Sequence, residues 1–135
     1  MVVLDSDVLI AYLRGKEDII KKIHHLKKEE ESLNTTTFNV AELYKGCYFM
    51  KNVSKGLMKV KSLVEALDEI YLFENDSAQE FAKISSDLKN RGQVIGMMDE
   101  LIASICISNQ EALYTRNLKH FERIEELAIL GHNSS

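Results

Sequence analysis

The run Val2-Val3-Leu4-Asp5-Ser6-Asp7-Val8-Leu9-Ile10 decides how the chain is read. Short apolar, β-prone residues end at an acid, and apolar residues then resume with helical spacing from about Val8 to Leu13, stopping near Gly15. A buried strand followed at once by a helix is the building unit of a parallel sheet covered by helices. The unit recurs along the chain. A helix over about Glu17 to Lys28 sets Ile19, Ile20, Ile23 and Leu26 on one stripe. Ser32 to Thr36 reads as a second strand, and Thr37 is the expected N-cap of a helix over about Phe38 to Met50. A further helix over about Ser54 to Asp68 precedes a third strand, Ile70 to Phe73. Ser77 and Glu80 form an S-x-x-E capping box, and the helix they open ends at Asn90-Arg91-Gly92. Gly96 precedes a nearly all-apolar helix from about Met98 to Asn109. Ala112 to Thr115 is a fourth strand, Leu118 to Phe121 a short helix, and Leu127 to Leu130 a candidate fifth strand. The expectation is one α/β domain over residues 1–130, with a mostly parallel sheet of four or five strands, and a loose tail over 131–135.

Composition agrees with this reading. The chain has 135 residues, 45% of them hydrophobic and 28% charged, which suits one domain with a real core. No segment approaches a membrane span, and no cationic stretch precedes the first apolar run, so a cytoplasmic protein without a signal peptide is expected. Cys47 and Cys106 lie in apolar, helix-like surroundings and are expected as buried free thiols. His24, His25, His120 and His132 show no zinc-ligand spacing with them. The net charge of −4 argues against coating nucleic acid by bulk charge. Between Glu42 and Glu65, however, five lysines (Lys45, Lys51, Lys55, Lys59 and Lys61) stand without an acid. They read first as a solvated helical face and second as a phosphate-attracting patch.

In parallel sheets, ligands bind beyond the carboxyl ends of the strands. Asp5 follows the first strand, Glu42 lies early in the helix after the second, and Asp99 opens the apolar helix after Gly96. Thr115 and Asn117 follow the fourth strand. Each has an ordinary explanation alone. Asp5 or Asp99 can cap a helix, Glu42 can be solvated, and Asn117 can serve a turn. Asp7 is the better capping candidate for the first helix, which frees Asp5, while Glu100 is the expected exposed neighbour of Asp99. Gly46 leaves open space one turn along the face of Glu42. Brought together, three carboxylates repel one another unless a divalent cation intervenes. Carboxylate and water ligands suit Mg²⁺ or Mn²⁺, and such an ion can polarise a phosphate and acidify water.

The motifs Val3-Leu4-Asp5-Ser6-Asp7-Val8-Leu9-Ile10, Ala41-Glu42-Leu43-Tyr44, Gly96-Met97-Met98-Asp99-Glu100-Leu101-Ile102-Ala103, and Leu113-Tyr114-Thr115-Arg116-Asn117 with His120-Phe121-Glu122-Arg123-Ile124 resemble, in order and spacing, those of PIN-domain ribonucleases. The likeness is to the VapC-like toxins of toxin–antitoxin pairs in particular. The resemblance implies a three-layer α/β/α fold and a Mg²⁺- or Mn²⁺-dependent endoribonuclease with Asp5, Glu42 and Asp99 as acidic site residues. Ser6 and Thr115 would orient ligands, Asn117 would hold a supporting place, and Arg116 would help bind phosphate. Many family members carry a fourth acid where Asn117 stands, which implies weaker metal affinity here. The resemblance further implies an RNA substrate, a homodimer and an inhibiting antitoxin. The apolar face around Met98 to Ile107 fits a dimer contact, and the helices around Phe38 to Leu67, with Tyr44, Tyr48, Phe49 and Met58, fit an antitoxin groove. Core packing explains those aromatic and Met residues as well, and is the preferred reading at this point. Alternatives remain: a phosphatase using Asp5 as nucleophile, a catalytically weak RNA- or partner-binding module, and a ribonuclease of RNA processing.

Overall fold

The computed structural model describes residues 1–131. In chain order the elements are β1 (Val2–Leu4), α1 (Ser6–Leu13), α2 (Glu17–Lys28), β2 (Leu33–Thr36), α3 (Thr37–Cys47) and α4 (Val53–Ala66). They continue with β3 (Glu69–Tyr71), α5 (Asn75–Asn90), α6 (Met97–Ser108), β4 (Ala112–Thr115), α7 (Leu118–Phe121) and β5 (Ile129–Gly131). The five strands form one sheet in the order β3-β2-β1-β4-β5. Every pairing is parallel, with Val3 opposite Asn34 on one side and Leu113 on the other.

Strand side chains alternate between faces, and the core divides accordingly. Val2 and Leu4 of β1, Leu33 of β2 and Tyr114 of β4 pack with Val8, Leu9, Ile19, Ile23, Leu43 and Val60 from α1 to α4. Val3 and Leu113 point the other way, into Ile84, Leu88, Ile102, Cys106 and Phe121 from α5 to α7. The architecture is therefore helices, parallel sheet, helices. Cys47 belongs to the first cluster and Cys106 to the second, so the two buried thiols are free and lie across the sheet from each other. No helix among the described residues is long and apolar enough to cross a membrane.

The element order expected from sequence is the observed one, but several end positions move. Asp5, not Asp7, is the N-cap of α1, its side chain accepting from Ser6 N–H. Asp7 lies inside the first turn and turns its carboxylate toward Arg116. Thr36, not Thr37, caps α3, because its hydroxyl can reach the Asn39 N–H. The S-x-x-E box does not operate. Helix α5 begins two residues before Ser77, and the buried Ser77 hydroxyl bonds that of Ser108 instead. Glu100, expected at the surface, is buried. Gly131 belongs to β5, where it pairs with Thr115 of β4, and not to a loose tail. The rest of the expected tail, 132–135, lies outside the described residues.

Two surface expectations also change. Tyr48, Phe49, Met50 and Met58 are exposed, Phe49 by 83%, so core packing does not explain them. Conversely, Ile102, Ala103, Ile105 and Cys106 of α6 are consumed by the core, and the apolar surface near it reduces to Val94, Met97 and Met98.

Candidate functional site

The chain builds the sheet outward from β1 through β2 to β3, then returns to the other flank of β1 with β4 and β5. The switch point thus falls between β1 and β4, where the connections diverge and leave a crevice at the strand ends. Asp5 leaves β1 there and Thr115 ends β4 there. The Asp5 N–H donates to the Tyr114 carbonyl at 2.9 Å, extending the ladder by one rung. The Thr115 hydroxyl donates to Asp5 Oδ2 at 2.8 Å.

Asp5 Oδ1 accepts from the Ser6 N–H at 2.8 Å and from Asn39 Nδ2 at 3.0 Å. Asn39 is wholly buried and is locked by Thr36, whose hydroxyl donates to its side-chain oxygen at 2.7 Å. The same Asn39 amide donates to Ser6 Oγ at 2.9 Å, and the Ser6 hydroxyl passes the chain on to Glu42 Oε1 at 2.7 Å. Glu42, half-buried on α3, is thereby tied to Asp5 through one amide and one hydroxyl.

Asp99 comes from the first turn of α6. That turn starts at Gly96, whose φ of +110° is closed to side-chain-bearing residues without strain. Asp99 Oδ2 lies 3.0 Å from His120 Nδ1, which lies 2.9 Å from the side-chain nitrogen of Asn117. The Asn117 backbone N–H donates to Thr115 Oγ1 at 3.0 Å, closing the link to Asp5. Asp7 accepts from the Arg116 N–H at 3.1 Å, while its Oδ1 is buried without a hydrogen-bond partner among the described residues.

Burial pushes the Asp5 carboxyl up to about 7, with the charge of Asp7 adding to the effect and Asp99 contributing in the same direction. The Thr115 and Ser6 hydrogen bonds pull it back only in part. Asp7 is also raised, chiefly by burial, with the Arg116 N–H opposing and Asp99 reinforcing. Asp5 and Asp7 thus share one desolvated crevice, where burial and neighbouring negative charge penalise their ionised forms. An orphaned carboxylate oxygen in such a place is a ready cation ligand, and an all-oxygen donor set suits a hard divalent ion. Among the described residues, no three His, Cys, Asp or Glu side chains stand together closely enough to hold a metal ion between them. The arrangement fits Mg²⁺ or Mn²⁺ held by one or two carboxylates and several waters, the usual habit of Mg²⁺.

The residues singled out from sequence therefore meet at one edge: Asp5, Asp99 and Thr115 at the crevice, Ser6 and Glu42 beside it, and Asn117 and Arg116 on the loop after β4. Three contributors were not assigned. Asp7 reads from sequence as a helix cap. Asn39 left only a faint signal, Thr36-x-x-Asn39, the spacing of a reciprocal capping pair. His120 stood in a quoted motif without a role, because nothing local predicts its contact with Asp99, 21 residues earlier.

Comparison with known proteins adds a second line of support. Over 124 residues the chain is 27% identical to Ribonuclease VapC1 of Haemophilus influenzae (strain R2866), covering 92% of each. It superposes on VapBC2 from Rickettsia felis, solved bound to a promoter DNA fragment, with a TM-score of 0.90 and 23% identity, over 98% of this chain and 100% of that one. Against VapBC-1 from nontypeable Haemophilus influenzae the TM-score is 0.86 at 26% identity, over 97% and 98% of the two chains. The family profile described as the PIN domain matches residues 2–127. With nearly its whole length matched, and with its acids gathered at the sheet's switch point, the chain belongs to the PIN-domain family.

Proposed function

We propose that this protein is a divalent-metal-dependent endoribonuclease, the toxin of a toxin–antitoxin pair. The observation that carries the proposal is the crevice at the ends of β1 and β4, where Asp99 stands near Asp5 and Asp7 and where burial with neighbouring negative charge raises the carboxyls of Asp5 and Asp7. The relatives named as VapC ribonucleases support the same chemistry. When bound, a divalent ion supplies positive charge against a phosphodiester and acidifies neighbouring water. Asp5 and Asp99 are the residues to hold it. Glu42, fixed by the Ser6 hydroxyl, stands ready to accept a proton from attacking water. Thr115, Ser6 and Asn39 orient the Asp5 carboxylate so that it needs no rearrangement when substrate arrives. Arg116, half-buried on the loop after β4, would donate from its guanidinium to a phosphate oxygen.

The partner assignments follow on the surface. Two apolar depressions flank Met58 of α4: Tyr12, Leu13 and Leu63 line one, beside Lys55 and Lys59, and Tyr44, Tyr48 and Leu57 line the other, beside Lys61. This face is the antitoxin-docking surface, suited to an acidic amphipathic segment. Val94, Met97 and Met98 supply the apolar contact of a homodimer. Two buried free thiols accord with a cytoplasmic location.

The test is cleavage of RNA by the chain purified free of any partner, in Mg²⁺, Mn²⁺ or chelator, beside Asp99→Asn. Cleavage that requires metal and disappears in the variant is expected. Equal cleavage by both proteins would assign the activity to a contaminant and overturn the proposal.

A further inference from the structure

We propose that His120 is a positioning residue for Asp99: its imidazole holds Oδ2 of the carboxylate, which would leave Oδ1 for a divalent ion. This inference rests on the metal-dependent reading above and adds to it a residue that the acidic set does not contain.

Three observations carry it. First, His120 Nδ1 lies 3.0 Å from Asp99 Oδ2, within hydrogen-bond distance, and Asp99 is only 25% exposed at its side chain. Second, Nδ1 is also 2.9 Å from the Asn117 side-chain amide. A carboxylate only accepts, so the ring proton sits on Nδ1 and is directed at Asp99. The Asn117 amide, turned over about its last bond, then offers oxygen to that same proton. Third, the imidazole stands on a rigid mount. On α7, the neighbouring Phe121 is fully buried, and Leu118 packs so closely on Gly131 of β5 that a Cβ there would collide with it.

The consequence is geometric. Asp99 comes from α6 and Asp5 from the junction of β1 and α1, so nothing in their own elements sets their relative orientation. The path Asp5–Thr115–Asn117–His120–Asp99 does, by side-chain contacts at 2.8, 2.9 and 3.0 Å and one backbone contact at 3.0 Å. Partners that orient a ligand in this way commonly change metal affinity by about 10–100-fold.

The experiment measures Mn²⁺ dissociation constants by electron paramagnetic resonance on the full chain, stripped of metal and free of partner, for wild type, His120→Ala, His120→Asn and His120→Gln. Circular dichroism melts of the metal-free proteins accompany the binding data. His120→Ala is expected to bind Mn²⁺ about 10–100-fold more weakly. His120→Asn, whose amide nitrogen occupies the place of Nδ1, is expected to bind within about threefold of wild type, and more tightly than His120→Gln. Should His120→Ala fail to fold, the contrast between Asn and Gln still decides. Wild-type affinity in His120→Ala, or an Asn variant no better than Gln, overturns the role of His120 alone. Failure of the wild type itself to bind Mn²⁺ overturns the metal-dependent reading and this inference with it.

Discussion

The Thr115 hydroxyl reaches across 110 residues of sequence to donate a 2.8 Å hydrogen bond to Asp5 Oδ2. Thr115 Oγ1 in turn accepts from the Asn117 N–H at 3.0 Å, so one hydroxyl holds the acid and shapes the loop that follows β4. Thr115→Val keeps the shape and removes both bonds. Leaving a buried acceptor and an N–H unpaired is expected to cost about 1–3 kcal/mol of stability, measured by urea unfolding. Because the Thr115 bond lowers the Asp5 pKa, its loss raises that value further. The acid limb of the pH–activity profile should move to higher pH.

Asp5 makes the metal-free protein more stable in mild acid. Its folded pKa, about 7, exceeds the ordinary carboxyl value of 3.8, so the folded state binds the proton more tightly than the unfolded chain does. The stabilisation is full below about pH 4 and is lost as pH rises toward 7, amounting to about 4 kcal/mol over that window. Denaturant midpoints in chelator, taken from pH 5 to pH 8, should fall for the wild type. Asp5→Asn should flatten that dependence, be the more stable protein at pH 8, and have no nuclease activity.

Metal should reverse the penalty. At about 100 times its dissociation constant, Mg²⁺ is expected to add about 2.7 kcal/mol, a rise of about 10 °C in melting temperature for a domain of this size. Differential scanning fluorimetry at pH 7.5 reads the shift, which EDTA should erase. Asp99→Asn should respond weakly. An equal shift in wild type and variant would place the ion elsewhere.

Two glycines separate a strained position from an open one. Gly96→Ala forces a side chain into φ +110° at the turn that aims Asp99, with an expected cost of about 1–3 kcal/mol and a drop in turnover larger than stability explains. Gly46→Ala, on α3 with nothing near its would-be Cβ, should instead stabilise by about 1 kcal/mol. Thermal melts and initial rates of the pair test both.

Strand and helix identity was legible because Val2–Leu4 and Ala112–Thr115 are short apolar runs bounded by polar signals, and α2, β4 and α7 appear at the limits read from sequence. The caps misled for a local reason. Asp5 and Asp7, or Thr36 and Thr37, are chemically equivalent as cappers, and only the fold decides which has a competing partner. Asp7 has one in Arg116, and that contact spans 109 residues. Ser77 was drawn from capping by Ser108, likewise invisible locally. Asp5, Glu42 and Asp99 could be picked out because the strand-end rule says where to look. Asn39 and His120 could not, since their value lies in a hydrogen bond to an acid from another element. Tyr48, Phe49 and Met58 looked like core by composition. The cluster around Leu43, Cys47 and Val60 is closed beneath them, which leaves them outside.

The first strand of the chain lies in the middle of the sheet, between β2 and β4, two partners that both come later in the chain and stand far apart from each other in it. Asp5 takes its posture from Asn39 on one flank and Thr115 on the other, so no contiguous fragment short of those limits carries a competent centre. Peeling away either flank dismantles the crevice together with the sheet. A blade assembled in this manner has no half-sharpened form: any break that opens the sheet disarms it at the same stroke.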